Sequence, residues 1–442
     1  MKIVRIGGGS SELASAAKIG AKAANLARMA ALGLPVPPAF VLPVRLCADI
    51  VAGKADAARR LRDGLQEGIA FLEAATGRSF GDRRRPLLVS VRSGAARSMP
   101  GMLDTVLNVG CTSTAVRGLI RSSGRPRLAW DCRRRFLESY AETVAGLDLA
   151  PLAARLAELI VAEGVGSDRE LDSEALERLA FDERKLVEDS DDGWLEDAAM
   201  QLERSARAVY LSWMSERAQT YRRLEGLQHL EGTAVTIQAM VFGNGGPSSG
   251  AGVAFSRDPS TGSAQPVIDV LFDAQGEDVV SGRRTPDTER TLARALPTVA
   301  DQLGAVLAQL EREFGDVQDI EFTIEDGKLW ILQTRSAKRT PRAALKIAID
   351  LVHEGRITRE QAQERLAGID LATLVEASLI STRPAVAAGI GASAGIAAGR
   401  GAFDSEGAQR PAPIGDPPHP GADRRRRHES FTTSRGRRVA AA

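Results

Sequence analysis

The spacing of apolar residues changes period several times along the chain, and each change predicts an element. Residues 20–34, GAKAANLARMAALGL, carry apolar side chains at helical spacing and stop at Gly33, which predicts a helix. PVPPAFVL follows as a Pro-rich, extended entry into a strand. Leu87–Val91 is aliphatic except at Ser90 and follows Pro86, which suits an inner strand. From about 112 to 230 the pattern is almost wholly helical. RRRFLESYAETVAGL and DDGWLEDAAMQLERSARAVYLSWMSERAQTY place apolar residues three and four apart, with charges opposite. From 233 to 335 strand patterns return in TAVTIQAMVF, AGVAFSRD, VIDVLFDAQG and IEFTIEDGKLWILQTR, with helix across 286–314. After 341, PRAALKIAIDLVHEGRITREQAQERL predicts two short helices. This order predicts an α+β fold rather than a strictly alternating parallel one.

Beyond that the pattern fades. AVAAGIGASAGIAAGRGAFDSEGA is small and Gly-rich, and the stretch from 409 clusters Pro and Arg with almost no apolar periodicity, so 409–442 is expected to be disordered. The Arg424–Arg427 run has no interleaved aromatics, and nucleic acid is not expected as a partner. A length of 442 residues predicts two or three domains. The net charge of +1 provides no global field toward nucleic acid or membrane. No apolar run reaches the length of a bilayer span, and MKIVRIGGGS has too short an apolar core for a signal peptide. Cys47, Cys111 and Cys132 form no CxxC pair, as expected of reduced thiols in a cytoplasmic protein.

Four stretches carry chemistry. The inner strand at 87–91 runs into Arg92, and a guanidinium at such a strand's end is costly unless an anion or a carboxylate meets it. In DIEFTIEDGKLWILQTR, Asp319 and Glu321 lie two apart and share one strand face. Asp326-Gly327 signals a hairpin. A two-residue turn would pair Glu321 with Leu332 and mix polar with apolar on both faces. A three-residue loop pairs Asp319 with Arg335 and Glu321 with Gln333, giving one polar and one apolar face, and is the preferred register. The polar face suits Mg²⁺ on a nucleotide's phosphates, and equally a solvated face with cross-strand ion pairs. GNGGPSSGAGVAFSRDPSTG offers free N–H groups, as a phosphate-covering loop or a hairpin tip would. Lys22, early in its helix, can reach a phosphate as a point charge, and Glu277 and Asp278 sit in a Gly-flanked loop as acidic ligands or turn formers.

Five stretches together resemble the pyruvate, phosphate dikinase family: GAKAANLARMAALGLPVPPAFVL, SVRSGAARSMPGMLDTVLNVG, GAGVAFSRDPSTG, AQGEDVVSGRRTP and DIEFTIEDGKLWILQTR, in the family's order across roughly 18–340. SMPGMLDT separates them from the sister family, phosphoenolpyruvate synthase, which stands as the alternative. The resemblance implies an ATP-grasp fold, with a first lobe at 1–111, a helical insertion at 112–232, a second lobe at 233–340 and a helical linker at 341–385. It implies ATP as substrate, Mg²⁺ as cofactor and inorganic phosphate as a partner. Lys22 and Arg92 would contact ATP phosphates, Asp319 and Glu321 would hold Mg²⁺, with Glu321 also reaching the nucleotide, and Gln333 and Arg335 would complete the pocket. Arg92 and Arg335 would stabilise the transferring group. Glu277, Asp278 and Arg135 match further positions, Arg135 less securely because Arg133 and Arg134 adjoin it.

Two departures are visible. The family's Gly-Gly-Lys is here Gly20-Ala21-Lys22, whose extra methyl is expected to be tolerated. Only ASAGIAAGRGAFD, within 386–408, resembles the start of the swivelling phosphohistidine domain, and nothing resembles the pyruvate-binding barrel. The expectation is therefore a chain truncated by a frameshift, a phosphotransferase by lineage that binds MgATP without completing the reaction. The alternative is a non-catalytic MgATP-binding protein, or the partner of a separately encoded phosphohistidine and barrel half.

Overall fold

The computed structural model describes residues 2–97, 99, 101–189, 194–280 and 291–369. The expected remnant at 386–408, the tail at 409–442 and the 370–385 end of the linker lie outside the described residues. The strands in chain order are β1 Val4–Gly7, β2 Ser10–Ser11, β3 Ala39–Leu42, β4 Ser79–Phe80, β5 Pro86–Leu87 and β6 Val89–Ala95. They continue with β7 Thr105–Val109, β8 Thr233–Ala239, β9 Gly250–Phe255, β10 Val267–Phe272, β11 Gln318–Glu325 and β12 Lys328–Ser336. With helices filling 113–143, 150–162, 173–188 and 198–224 almost continuously, the mixture of sheet and helix is the expected α+β class.

The chain divides into two compact units. The first comprises Met1–Ser249 and Phe322–Arg335; the second comprises Gly250–Glu321 and the described residues from Ser336 onward. In the first, a six-stranded sheet runs β2-β1-β3-β8-β6-β7, with every neighbouring pair antiparallel. β8 opens the segment expected to begin a second lobe at 233, yet it lies between β3 and β6, and the chain changes units at 249 instead. Pairing across nearly two hundred residues leaves no trace in local periodicity.

Alternation divides that sheet cleanly. Phe40, Leu42, Val89, Val91, Val235 and Ile237 point to one face and are fully buried in a single core. Leu61, Leu65 and Leu72 of helix Ala57–Thr76, Phe136 and Tyr140 of helix Pro126–Thr143, and Leu202 and Val209 of helix Ala198–Leu211 fill the other side of it. The helical stretch therefore packs on the sheet as its apolar covering layer. At roughly 25 cal/mol per Å² of apolar surface, this layer is the main stabilising term of the unit.

In the second unit β9 and β10 pair antiparallel, from Gly250 opposite Phe272 to Phe255 opposite Val267. Helix Pro297–Phe314 buries Val299, Leu303, Val306, Leu307 and Leu310 at three- and four-residue steps. Helices Pro341–His353 and Arg359–Leu366 close a small core of Val317, Ala343, Ile347, Leu351 and Ile357. Its buried charge is compensated: Arg257 Nε and Nη2 donate to Glu311 at 3.0 and 2.8 Å, and Glu311 also accepts from the Ser256 hydroxyl at 2.6 Å. A second sheet runs β10-β9-β11-β12, and the division between units falls within β11, between Glu321 and Phe322. Among the described residues no helix is long and apolar enough to cross a membrane.

Candidate functional site

The second face of the six-stranded sheet differs in chemistry. Along β6, Ser90, Arg92 and Gly94 point away from the core, opposite Gln238, Thr236 and Ala234 of β8. Thr105 of β7 stands opposite Arg92 on its other side. Arg92 thus ends the apolar run because its side chain leaves the core face, and it is half-buried in a polar row. The strand does not end at Arg92 as expected but runs on to Ala95, because alternation lets the guanidinium leave the core face mid-strand, where the polar row suits an anion.

Lys22 reaches this region through a backbone contact. Helix Ala21–Ala31 starts after Gly20, whose φ of 81° and ψ of 155° are open only to glycine. A Cβ on Gly20 would lie 2.1 Å from the carbonyl oxygen of Gly94, so the helix start rests directly on β6, two residues beyond Arg92. Lys22 is exposed in the helix's first turn, where unsatisfied N–H groups and the dipole favour negative charge. Ala21, the visible departure in the sequence, is the first helical residue, so its methyl meets no conformational obstacle.

The same helix reaches β12. Asn25 Nδ2 donates to the carbonyl of Thr334 at 3.0 Å, between Gln333 and Arg335. Lys22, Arg92, Gln333 and Arg335 all belong to the first unit, and these contacts join the elements that carry them. Gln333 is buried and Arg335 exposed. The expected three-residue loop before β12 is not formed. β11 ends at Glu325 and β12 begins at Lys328, and both intervening residues are left-handed, Asp326 at φ 50° and Gly327 at φ 75°. That is a type I′ two-residue turn. By alternation Gln333 then follows Leu329 and Ile331, not a purely polar face.

Arg135 sits on helix Pro126–Thr143 and is buried. Its Nε donates to Asp131 at 3.0 Å, and Asp131 also accepts from Arg134 at 2.9 Å and from Asn244 at 2.7 Å. Burial pushes the Asp131 carboxyl up, but Arg135 and Arg134 more than reverse that and hold it below the usual carboxylate range. Arg133 pairs with Glu196 at 2.6 Å, so all three adjoining arginines are internal ion-pair partners. Asn244 is the second residue of the Gly-rich stretch, which is pinned rather than open through residue 249. Gly327 N–H donates to the Ser248 carbonyl at 2.8 Å, Asp326 N–H to the Ser249 hydroxyl at 3.0 Å, and Arg125 grips Asp326 through two bonds of 3.0 and 2.7 Å.

The acidic candidates belong to the second unit. Asp319 is buried and Glu321 half-buried on β11, and their spacing gives them one strand face. Among the described residues no three His, Cys, Asp or Glu side chains cluster as a metal cage. Two carboxylates completed by phosphate oxygens and water are the usual protein share of a Mg²⁺ site, and this pair fits that mode. Glu277 is exposed, whereas Asp278 is buried and accepts from Gln275 N–H at 3.1 Å, capping the short helix Gly276–Val280. Asn25, Gly20 and Asp131 were missed from sequence, although Asp131 lies four residues before Arg135, the spacing of a helical ion pair.

Comparison with known proteins matches the chain over residues 57–303 and 293–356 to a family described as "Pyruvate phosphate dikinase, AMP/ATP-binding domain". The chain is 41% identical over 404 residues to pyruvate, phosphate dikinase of Rhizobium meliloti (strain 1021), covering 88% of this chain and 45% of that protein. It is 39% identical over 397 residues to the Clostridium symbiosum enzyme, with the same coverage. It is 40% identical over 401 residues to chloroplastic pyruvate, phosphate dikinase 1 of Arabidopsis thaliana, covering 88% of this chain and 41% of that protein. The chain therefore spans less than half the length of these curated relatives. With the match extending over most of both units, the chain belongs to the pyruvate phosphate dikinase AMP/ATP-binding domain family.

Proposed function

We propose that this chain binds MgATP in an ATP-grasp arrangement and supplies the nucleotide-handling half of a pyruvate, phosphate dikinase reaction. The observation that carries it is the seating of Gly20 on Gly94, which brings a helix N-terminus with Lys22 onto the strand that holds Arg92. Fixed N–H groups, an ammonium and a guanidinium around one place are what a polyphosphate requires. Arg335 adds a second guanidinium, and Gln333 offers an amide to the nucleotide. Asp319 and Glu321 would hold Mg²⁺, which when bound neutralises phosphate charge. Catalysis by such residues consists of positioning and charge stabilisation of the transferring phosphoryl group.

The full reaction, from ATP, phosphate and pyruvate to AMP, pyrophosphate and phosphoenolpyruvate, is proposed for the complete enzyme. The acceptor histidine and the pyruvate site are assigned to the part of the relatives' length that this chain does not match. Titration calorimetry of the full chain with MgATP tests the nucleotide half. Arg92→Ala should weaken binding by about 1.5–3 kcal/mol, roughly 10- to 150-fold, if the guanidinium meets a charged phosphate. Unchanged affinity would remove the assignment.

A further inference from the structure

The polar row beside Arg92 is larger than the charged residues account for. Thr236 on β8 and Thr105 on β7 stand directly opposite Arg92 from its two sides, so threonine, arginine and threonine lie in line across three adjacent strands. Ser90 lies on the same face, two residues from Arg92. Thr236 and Ser90 are buried and Thr105 is half-buried. Among the described residues no side chain bonds these three hydroxyls, and none of their oxygens is a buried atom left without a partner, so each stays reachable by solvent and by a ligand. Threonine favours strands, but so does valine. On the opposite face of these same strands Val89, Val91, Val235 and Ile237 are apolar, and Ser93 and Thr233 stand only toward its end. Strand propensity alone therefore does not explain a threonine on each side of the guanidinium.

We propose that Thr236 and Thr105 are ligand-binding residues that donate their hydroxyl protons to the oxygens of the same nucleoside triphosphate polyphosphate that Arg92 engages. Directly opposed side chains on neighbouring strands have Cβ atoms about 4.5–5.5 Å apart. That spacing lets one phosphate group accept from the guanidinium and from a flanking hydroxyl together. This extension rests on the MgATP reading of the site and names two further groups in it.

The test is titration calorimetry of the full chain with MgATP for Thr236→Val, Thr105→Val, Thr236→Ser and Arg92→Ala, with thermal midpoints measured alongside. Valine keeps the shape and the strand preference and removes only the hydroxyl. Each valine variant is expected to weaken binding about tenfold with its midpoint retained, and Thr236→Ser should recover most of that loss. If Arg92→Ala weakens binding while both valine variants match wild type, the hydroxyl row is overturned and the MgATP reading stands. If Arg92→Ala itself has no effect, the MgATP reading falls and this extension falls with it. If Thr236→Val lowers the midpoint, the serine variant decides: affinity no better than the valine variant's overturns the hydroxyl's role.

Discussion

Gly20→Ala is the most direct perturbation of the arrangement that places Lys22. Two costs add. An alanine at φ 81° and ψ 155° is strained by about 1–3 kcal/mol. Its Cβ would also sit 2.1 Å from the Gly94 carbonyl oxygen, whereas ordinary carbon–oxygen contacts begin at about 3.3 Å. Relief requires the helix start to withdraw from β6 by about 1 Å or a rotation of the Gly94 peptide. The combined destabilisation should be about 2–4 kcal/mol, read as a lower urea midpoint by circular dichroism. Withdrawal also carries Lys22 away from Arg92, so MgATP affinity in titration calorimetry should fall at least about tenfold. Ala21→Gly, one residue on and inside the helix, is the control and should cost only about 1 kcal/mol of helix propensity. Wild-type stability and affinity in Gly20→Ala would refute the claim that this backbone contact sets the site.

Three further outcomes are expected. Asp131→Asn leaves two buried guanidiniums short of a partner and should cost about 3–5 kcal/mol at pH 7. Because the folded carboxyl is held below its unfolded value of about 3.9, its stabilising effect is complete above that pH, and the deficit in urea midpoint should narrow as pH falls below it. Glu183 is fully buried with neither carboxylate oxygen hydrogen-bonded, and burial, reinforced by Glu138, raises its carboxyl well above the ordinary range. The fold then keeps a proton that the unfolded chain sheds above about pH 4.3. Stability therefore drops as pH rises, and Glu183→Gln should exceed wild type at pH 8 with the gain vanishing toward pH 4; equal urea midpoints at pH 8 would contradict this. Asp319→Asn should weaken MgATP binding about tenfold while changing ATP binding in EDTA much less, and equal losses in both titrations would deny the carboxylate a metal role.

Much of the fold was legible where one face of an element is solvated. Helix 21–31 and most helices of 113–224 announce themselves by three- and four-residue spacing because they bury one stripe, whereas Pro126–Thr143 is buried on nearly every side. The hairpin at Asp326-Gly327 was legible as a turn but not in length. The three-residue loop was preferred for the pure faces it would create, yet Asp319, Thr323 and Gln333 are as buried as Phe322 and Ile324. A strand covered on both sides gives face purity no purchase. Of three consecutive arginines, Arg134 and Arg135 have partners at helical spacing in Glu138 and Asp131, whereas Glu196, the partner of Arg133, is brought by packing and left no sequence signal. The Gly-rich stretch advertised freedom, and tertiary hydrogen bonds from Gly327 and Asp326 removed it. The polar positions of TAVTIQA were readable at 233, 236 and 238, but the meaning of Thr236 required knowing that Arg92 is its neighbour.

The way the chain alternates between its two units has a practical consequence for dissecting it. Because the first unit reclaims Phe322–Arg335 after the second has begun, neither can be excised as one uninterrupted piece of gene. A stop codon at 250 would strip away the acceptor of Asn25, the donors to Ser248 and Ser249, and the carboxylate that Arg125 holds. Interlaced in this manner, the lobes should be acquired or lost together during evolution, and a minimal expressible version has to run unbroken past Arg335.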